Sequence, residues 1–417
     1  LFGVDMNAEF SKRIFSCKKY KICVFFLVFI LILCVFAPFS ALKTYRGKSE
    51  TSGETSEKSG KDALNESIYE QIGRLDLDEL QAYLDTLDGF DDQSVGERLI
   101  SYIGGENYGY GDFFSQLREI FFKDVKEFLP AFAAVGAAAL LCGVFAAIRS
   151  SSGAKSTENA TFFVTFSAVL LPVLTTVSVC FTAAKSALDA IEKQIQLIFP
   201  VLLTLMSASG KTATAAIYTP AAAFVSTGAI SLVRQVLFPA SIAIAAFSVA
   251  GNLSPQLKLN RFGAFFKSIY KWLIGIMISV FGLFFTAQGL GAAAYDNAAK
   301  RAAKYAIGAG VPIVGGFLSG GFDLALAGGA LIKNSVGYLG MLLLLAVLLK
   351  PLAMLVSVNV LLRFTAAITQ PLGDQRISDF LGETADNVNY VLAGVLMAAF
   401  MYFIMLLLCV CGAEAAI

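Results

Sequence analysis

Four ionisable residues stand in or beside long apolar stretches of this sequence and are the first candidates for chemistry. They are Arg234, Asp323, Lys350 and Arg363. A charge at the centre of a lipid bilayer costs about 3 kcal/mol on insertion scales unless it is paired or hydrated, so such residues mark ion, proton or solute sites by default. The long side chains of Arg234 and Arg363 also suit an alternative, in which the charged group reaches back to the membrane surface.

Lys350 is harder to place at a membrane surface, because it lies in the middle of an apolar run and directly precedes Pro351. A proline inside a helix kinks it and leaves the carbonyl four residues earlier without its usual donor. We therefore predict that Lys350 and Pro351 face the protein interior or an aqueous path.

Enzymatic chemistry is not indicated. The chain has no histidine, which removes the commonest general base and a common metal ligand. The run Ser209 to Thr212 resembles the end of a phosphate-binding loop, but Leu205 stands where that motif needs glycine, and the preceding stretch is apolar. No Ser/Lys or paired-aspartate site stands out, and the seven cysteines lie in or beside apolar segments without indicating a disulfide framework. We expect no catalytic residue, no cofactor and no metal site.

A glycine-rich segment precedes Asp323. Its glycines are Gly315, Gly316, Gly320 and Gly321. Small residues at four-residue spacing let helix backbones approach closely in lipid, where burial of apolar surface gives no driving force. We predict a close helix-packing surface here, which serves either packing within the chain or an oligomeric or pore-lining contact.

The elements that carry these residues must be membrane helices. Hydrophobic residues make up 57% of the chain and charged residues 15%, and the mean hydropathy is +0.70. Backbone polar groups find no water in hydrocarbon, so spanning segments are helical. The sequence predicts an all-α fold: a polytopic helical membrane protein with about seven transmembrane or re-entrant segments after an N-terminal signal segment, plus a small acidic helical extracytoplasmic domain.

The predicted membrane segments approach the length that crosses a bilayer and are repeatedly interrupted by Gly and Pro. They are Leu129–Ile148, Ala160–Ala184, a broken region from Ile195 to Gly251, Trp272–Ala292, a glycine-rich segment from Ile307 to Ala330, Val336–Leu362 and Val388–Gly412. The broken region is predicted to hold either one bent span with re-entrant pieces or three short spans. It is divided by Pro200, Gly210, Pro220, Gly228 and Pro239.

Composition divides the chain into four parts. They are a signal peptide or signal anchor (1–41), a disordered linker (42–62), an acidic helical extracytoplasmic domain (63–127) and a polytopic membrane domain (128–417). Basic residues before an unbroken apolar run are typical of an export signal. Whether it is cleaved after Ala41 stays open, because bulky Phe39 stands where a small residue is preferred.

The acidic domain is predicted to be helical from its apolar spacing. Leucines recur three or four residues apart from Leu77 to Leu87, after a capping-box-like Asp76 and Glu79, and Gly89 is predicted to end the helix. A second amphipathic stretch, from Phe113 to Val125, is expected to lie on the membrane or on a partner.

Orientation follows from the export signal and from the distribution of basic residues. The basic residues between Lys258 and Lys271 indicate the cytoplasmic side, whereas the acidic residues between Asp374 and Asp386 are predicted to form an external loop. Basic residues from Lys300 to Lys304 conflict with this scheme. The conflict indicates that the glycine-rich segment is re-entrant or that the number of spans differs by one.

Four short motifs, in their order and spacing, resemble one protein family. They are Ile217-Tyr218-Thr219-Pro220, Val311-Pro312-Ile313-Val314-Gly315-Gly316 followed by Asp323, Lys333-Asn334-Ser335-Val336-Gly337, and Gln370-Pro371-Leu372-Gly373-Asp374. Together they resemble the stage III sporulation protein AE family, over roughly residues 60 to 412. Gln370, Pro371, Gly373 and Asp374 form a candidate family-motif loop.

The resemblance implies a polytopic component of a multi-protein channel complex that resembles specialised secretion systems and is required during endospore formation. It implies a location in the mother-cell membrane around the forespore. It also implies as partners the lipid bilayer and other membrane and extracytoplasmic subunits, with a homo-oligomer as a further option, and no nucleic acid. No catalytic residue is implied.

The residues alone leave a second hypothesis open. Discontinuous helices near the bilayer midplane are also typical of a secondary transporter or permease for a small solute. A transporter should move solute when it is reconstituted alone, whereas a component of a secretion-like complex should be inert alone and co-purify with partners.

Overall fold

The computed structural model of the 417-residue chain describes residues 54–87, 93–104, 122, 126–141, 144, 155–253, 260–289, 315–371 and 375–411. Every regular element in these ranges is a helix, as the predicted all-α fold requires. The chain divides into two units, residues 1–66 and residues 67–417. The signal segment 1–41 lies outside the described residues.

The helices that the structure describes with both ends are numbered here in chain order. They are α1 (Glu54–Gly73), α2 (Asp78–Leu84), α3 (Val95–Gly104), α4 (Lys155–Ala208), α5 (Thr212–Leu253), α6 (Asn260–Gly289), α7 (Gly315–Thr369) and α8 (Gln375–Cys411). Residues 126–141 are also helical, and Val135 and Ala139 in this segment are buried. Within α5, two π-helical stretches interrupt the α-helix, at Phe224–Ala229 and at Val233–Leu237.

Five of these helices, α4 to α8, are long and apolar enough to cross a membrane, which makes the chain a multi-pass membrane protein. The predicted number of about seven segments is not confirmed within the described residues. Of the predicted segment Leu129–Ile148, only residues 129–141 and 144 are described. The rest of the difference arises because helices continue where the sequence predicted breaks. The segments at Ile307–Ala330 and Val336–Leu362 form one helix from Gly315 onward, while residues 307–314 lie outside the described ranges.

The broken region predicted from Ile195 to Gly251 is also more continuous than expected. Pro200 lies inside α4, and Pro220 lies inside α5. Each proline removes one backbone donor, but neighbouring helices, Thr hydroxyls and π-helical turns can accommodate the gap in a packed membrane bundle.

The break that does form lies at Gly210, between α4 and α5. Gly210 has a φ of 70°, a conformation that glycine adopts without strain. The N–H of Lys211 bonds to the carbonyl of Met206 at 2.9 Å, and the N–H of Gly210 bonds to Ser207 at 3.0 Å, which is the Schellman pattern of helix ends. The run that resembles a phosphate-binding loop is therefore a turn between two antiparallel membrane helices.

Helices α4, α5, α7 and α8 pack side by side with alternating direction. The Gln194 amide of α4 donates to the carbonyl of Leu343 in α7 at 3.0 Å, and further along a Cβ added at Gly329 would meet the Ser209 hydroxyl at 2.8 Å, so these two helices are antiparallel. Helix α8 packs against α4, α5, α6 and α7, and most of its side chains are buried. We call the end with the Gly210 turn the upper end and the opposite end the lower end.

The lower end corrects the predicted orientation of the charged loops. A hydrogen bond from the Ser248 hydroxyl of α5 to Glu383 of α8 places the end of α5 beside the beginning of α8. The basic beginning of α6 at Arg261 and the acidic residues after Gln375 therefore lie at the same end, and the prediction that they lie on opposite sides is wrong. The acidic residues from Asp379 to Asp386 belong to α8 and not to a loop. Asp374 and the basic residues from Lys300 to Lys304 lie outside the described ranges.

The acidic helical region differs from its prediction in detail. Helix α1 begins at Glu54, inside the segment predicted as a linker. Helix α2 begins at Asp78 after Leu77, without a side-chain cap, and ends at Leu84. A reciprocal capping box occurs instead before α3, where Ser94 and Glu97 bond to each other's backbone N–H groups at 3.3 and 3.0 Å. Gly89 and most of the stretch from Phe113 to Val125 lie outside the described residues.

Residues of this region pack on the upper part of the bundle. Gln194 of α4 donates to the Tyr83 hydroxyl at 3.1 Å, and the Lys193 ammonium lies 5.0 Å from the centre of the Tyr83 ring. Burial raises the pKa of the Tyr83 phenol, although the Gln194 hydrogen bond opposes the shift. Tyr102 of α3 meets Tyr338 of α7 edge to face, with ring centres 5.1 Å apart. The acidic region and the upper bundle are thus joined by aromatic and polar contacts.

Candidate functional site

A network of polar side chains joins α5, α7 and α8 in the lower half of the bundle. The Arg363 guanidinium of α7 donates to Asp386 of α8 at 2.6 Å and to Asn359 at 3.0 Å. The Asn359 amide in turn donates to the backbone carbonyl of Ala385. Charge and hydrogen-bonding capacity are therefore matched between α7 and α8, as groups in an apolar environment require.

A second carboxylate in the network has neutral partners. Glu383 of α8 accepts hydrogen bonds from the Ser248 hydroxyl and, at 3.2 Å, from the Asn252 amide, both on α5. One helical turn further along α8, the side-chain amide oxygen of Asn387 accepts a hydrogen bond from the Ser241 hydroxyl of α5 at 2.7 Å. The Tyr270 hydroxyl of α6 donates to the carbonyl of Tyr390. These bonds tie α8 to α5 and α6.

Chemically, this arrangement stabilises helix contacts and offers one acidic group. Arg363 balances the charge of Asp386, whereas Glu383 is held by a hydroxyl and an amide. A carboxylate in such surroundings can bind a cation. The Asn387 amide nitrogen is buried without a hydrogen-bond partner among the described residues. The described residues hold no group of three or more Cys, Asp or Glu side chains that could bind a metal ion.

Arg234 belongs to a separate charged cluster on the α4–α5 pair. Its guanidinium contacts Asp189 and, at 2.8 Å, Glu192, both on α4. Both Arg234 and Arg363 are therefore ion-paired within the chain. The alternative in which their charged groups reach back to the membrane surface did not predict these partners. The pairing partners could not be identified from sequence spacing, because they lie on other helices.

Lys333, a residue of one of the four family-like motifs, is a buried charge. It is 1% exposed, and its ammonium donates to the carbonyl of Val410 at 3.2 Å, near the end of α8. The last carbonyls of a helix lack backbone donors and carry negative partial charge, so a lysine there stabilises the helix end. Its position between the apolar runs 324–332 and 336–349 is the sequence signal that could have identified it.

Helix α7 leaves no room for a side chain against α8 at Gly337 and little at Gly340. A Cβ added at Gly337 would come within 2.2 Å of Val410, and one at Gly340 would lie 3.2 Å from Leu406. Small-residue packing within the chain is thus found on α7, downstream of the predicted surface. Gly315, Gly316, Gly320, Gly321 and Asp323 lie in the first turns of α7, where the structure describes the backbone and not the side chains.

The structure does not bring the predicted ionisable residues of α7 together. Asp323, Lys350 and Arg363 lie along one helix, with Asp323 and Lys350 about 40 Å apart at 1.5 Å per residue. Lys350 is exposed on the chain and Pro351 is partly buried, so Lys350 does not face the interior of this chain. Gln370 and Pro371 are exposed at the turn after α7, and Gly373 and Asp374 lie outside the described residues.

Comparison with known proteins identifies the family. The family model described as stage III sporulation protein AE matches residues 94–413. The chain is 22% identical over 267 residues to the stage III sporulation protein AE of Bacillus subtilis (strain 168), which covers 64% of this chain and 67% of that protein. No solved structure matches the chain. With most of its length matched by the family model, the chain belongs to the stage III sporulation protein AE family.

Proposed function

We propose that this protein is a non-enzymatic membrane component of a multi-protein, secretion-like channel complex that spans the envelope and is required during endospore formation. The observation that carries the proposal is the match to the stage III sporulation protein AE family over residues 94–413, which include the later part of the acidic region and the membrane region. The proposal places the chain in the mother-cell membrane around the forespore.

The packing of α8 supports a role as one component among several. The side chains of Val395, Ala398, Tyr402 and Leu406, along the middle of α8, are all buried between the other helices. The centre of the bundle is therefore filled with protein. A conduit for large cargo would have to run between this chain and other copies or subunits.

The acidic region supports the assignment of extracytoplasmic partners. Asp76, Asp78, Glu79 and Asp85 are exposed around α2, at the upper end of the bundle. A cluster of exposed carboxylates on a docked helix favours recognition of a basic surface on a second protein. The partners proposed are other membrane and extracytoplasmic subunits of the channel complex, with a homo-oligomer as a further option.

A secondary transporter remains the second candidate, and the network around Glu383 favours it. Acidic groups held among polar side chains inside a membrane bundle are typical of proton-coupled and cation-coupled transporters. The first candidate is preferred because the family match supports a sporulation role.

Affinity purification of the full-length chain from sporulating cells, followed by mass spectrometry, tests the proposal. The expected result is co-purification of a fixed set of membrane and extracytoplasmic proteins, absent when the same purification is carried out on cells that produce the untagged chain. Purification without partners, combined with solute or cation flux in liposomes that contain the chain alone, would overturn it in favour of the transporter.

A further inference from the structure

The exposed side chains of α4 change from apolar to polar near residue 180. Below this level it presents large apolar side chains, including Phe163, Val164 and Leu171. Above it, no large apolar side chain is exposed. The exposed positions there are Thr182, Lys185, Ser186, Asp189, Lys193, Gln196, Pro200, Thr204, Ser207 and Ala208. The upper face of α4 is therefore suited to water and the lower face to lipid.

Helix α5 continues the same face. Its exposed positions near the upper end are small or polar, and include Thr212, Thr219 and Thr227. Large exposed apolar side chains begin on α5 only further down, at Val236 and Ile242. The polar upper face is thus two helices wide, and the ion pairs of Arg234 with α4 lie near its lower boundary.

The opposite side of the bundle, at the same level, is apolar. Helix α6 is attached to α8 where the Tyr270 hydroxyl bonds to Tyr390, and both helices run toward the upper end. Above Tyr270 on α6, Val280 is 44% exposed and Leu283 is 71% exposed. At 1.5 Å per residue, Leu283 lies up to about 20 Å above Tyr270 along the helix.

The height of Leu283 along the bundle can be compared with that of residues in α4, because both helices are related to α8. The position of a Cβ at Gly340 contacts both Leu406 of α8 and Ile198 of α4, so these two residues lie at one height. Leu406 lies about 24 Å above Tyr390 along α8. Leu283 is therefore close to the height of Gln196, which is exposed and polar.

The acidic helix α2 lies along the polar face. Tyr83 of α2 bonds to Gln194, and a cleft of about 410 Å³ separates the two elements nearby. Its polar lining includes Asp76 and Glu79 on one side and Gln196 and Thr204 on the other. Exposed carboxylates on one side of the bundle and exposed apolar side chains of α6 at the same height are suited to water on the first side and to lipid on the second.

We propose that the face of α4 and α5 above residue 180, together with α2, borders an aqueous space within the membrane, and that α6 on the opposite side contacts lipid. This inference rests on the proposed channel function and deepens it: the chain forms part of the conduit wall. The occupant of the space is water and hydrophilic cargo, because no large apolar side chain is exposed on this face of α4.

Cysteine labelling of the full-length chain in membranes of sporulating cells tests the inference. Single cysteines are placed at Gln196 and Thr204 on α4 and at Val280 and Leu283 on α6, in a chain otherwise free of cysteine. A hydrophilic maleimide is expected to label the α4 positions at least about tenfold faster, because the reactive thiolate forms in water and not in hydrocarbon. Phe163→Cys and Leu171→Cys, lower on the same helix, are the matched slow controls.

Two outcomes would overturn the inference. Equal and fast labelling at Gln196 and Leu283 would show that this level lies outside the membrane on every side. Slow labelling at both α4 positions would show that the polar face is covered by lipid or protein. Failure to co-purify partners would not change the labelling pattern, so failure of the proposed complex is distinguishable from failure of this inference.

A second measurement does not depend on the cysteine-free chain. Gln196→Glu is expected to leave membrane abundance unchanged, whereas Leu283→Glu should lower it at least about tenfold, because a carboxylate in hydrocarbon is strongly disfavoured. Equal abundance of the two variants would contradict a lipid-facing α6.

Discussion

Arg363 of α7 and Asp386 of α8 form an ion pair at 2.6 Å between two neighbouring membrane helices. The pair lies beside Asn359, which bonds both to Arg363 and to the backbone of α8. Contacts of this kind fix the relative position of two helices more narrowly than apolar packing does, because a shift along the helix leaves charged groups without partners.

Arg363→Gln and Asp386→Asn are expected to destabilise the chain singly, and the double variant should be less destabilised than the sum of the two. The coupling should be on the order of 1 kcal/mol, since interhelical polar contacts in membranes are of this size. Thermal unfolding of the purified protein in detergent measures it. Strict additivity would show that the two side chains act independently.

Gly337→Leu is expected to prevent normal packing of α7 on α8, because an added Cβ at this position would already come within 2.2 Å of Val410. Overpacking of this kind costs roughly 1–3 kcal/mol and more when the backbone must move. Gly275→Leu is the control, because no atom lies within 4 Å of its added Cβ. Membrane abundance and thermal stability should fall for the first variant alone.

Gly316→Leu and Gly320→Leu are expected to abolish assembly of the complex if the predicted surface at the start of α7 packs closely against another helix. Gly412→Leu should be mild. Co-purification of partner subunits at matched abundance is the measurement. Normal complex formation by both of the first two variants would remove this surface from consideration.

Lys350→Leu is expected to insert normally but to lower the yield of heat-resistant spores. Gln194 and Leu343 are hydrogen-bonded, so antiparallel packing puts Lys350 at about the height of Asp189, near the lower boundary of the polar face of α4. An exposed lysine at this height suits water or headgroups and not acyl chains. Wild-type spore yield at wild-type abundance would show that this charge has no role.

A cysteine at Asp92, in a chain otherwise free of cysteine, is expected to react with an impermeant maleimide before the cytoplasmic membrane is permeabilised. The reason is that the predicted extracytoplasmic domain, residues 63–127, follows an export signal and is acidic. Asp379→Cys, at the lower end, should react only after permeabilisation. The reverse pattern would invert the proposed orientation.

The sequence predicts the helical class, the membrane location and the family, because each depends on composition or on residues in a fixed order. It does not predict helix continuity through Pro200 or across Gly328 and Gly329, because glycine and proline signals are local and the compensating contacts come from other helices. For the same reason Asp379 and Glu383 were expected in a loop. Their local sequence is polar, but both lie in α8, where Glu383 bonds to Ser248 and Asn252 of α5.

The central position of α8 has a consequence for biosynthesis. Helices α4 to α7 precede α8 in the chain, so they leave the ribosome before the helix that they enclose. Until α8 arrives, buried groups such as Lys333 and Ser241 lack the partners that α8 supplies, so the early intermediate has exposed polar groups on its inner surface. Insertion of α8 is therefore the step at which these polar groups gain their partners.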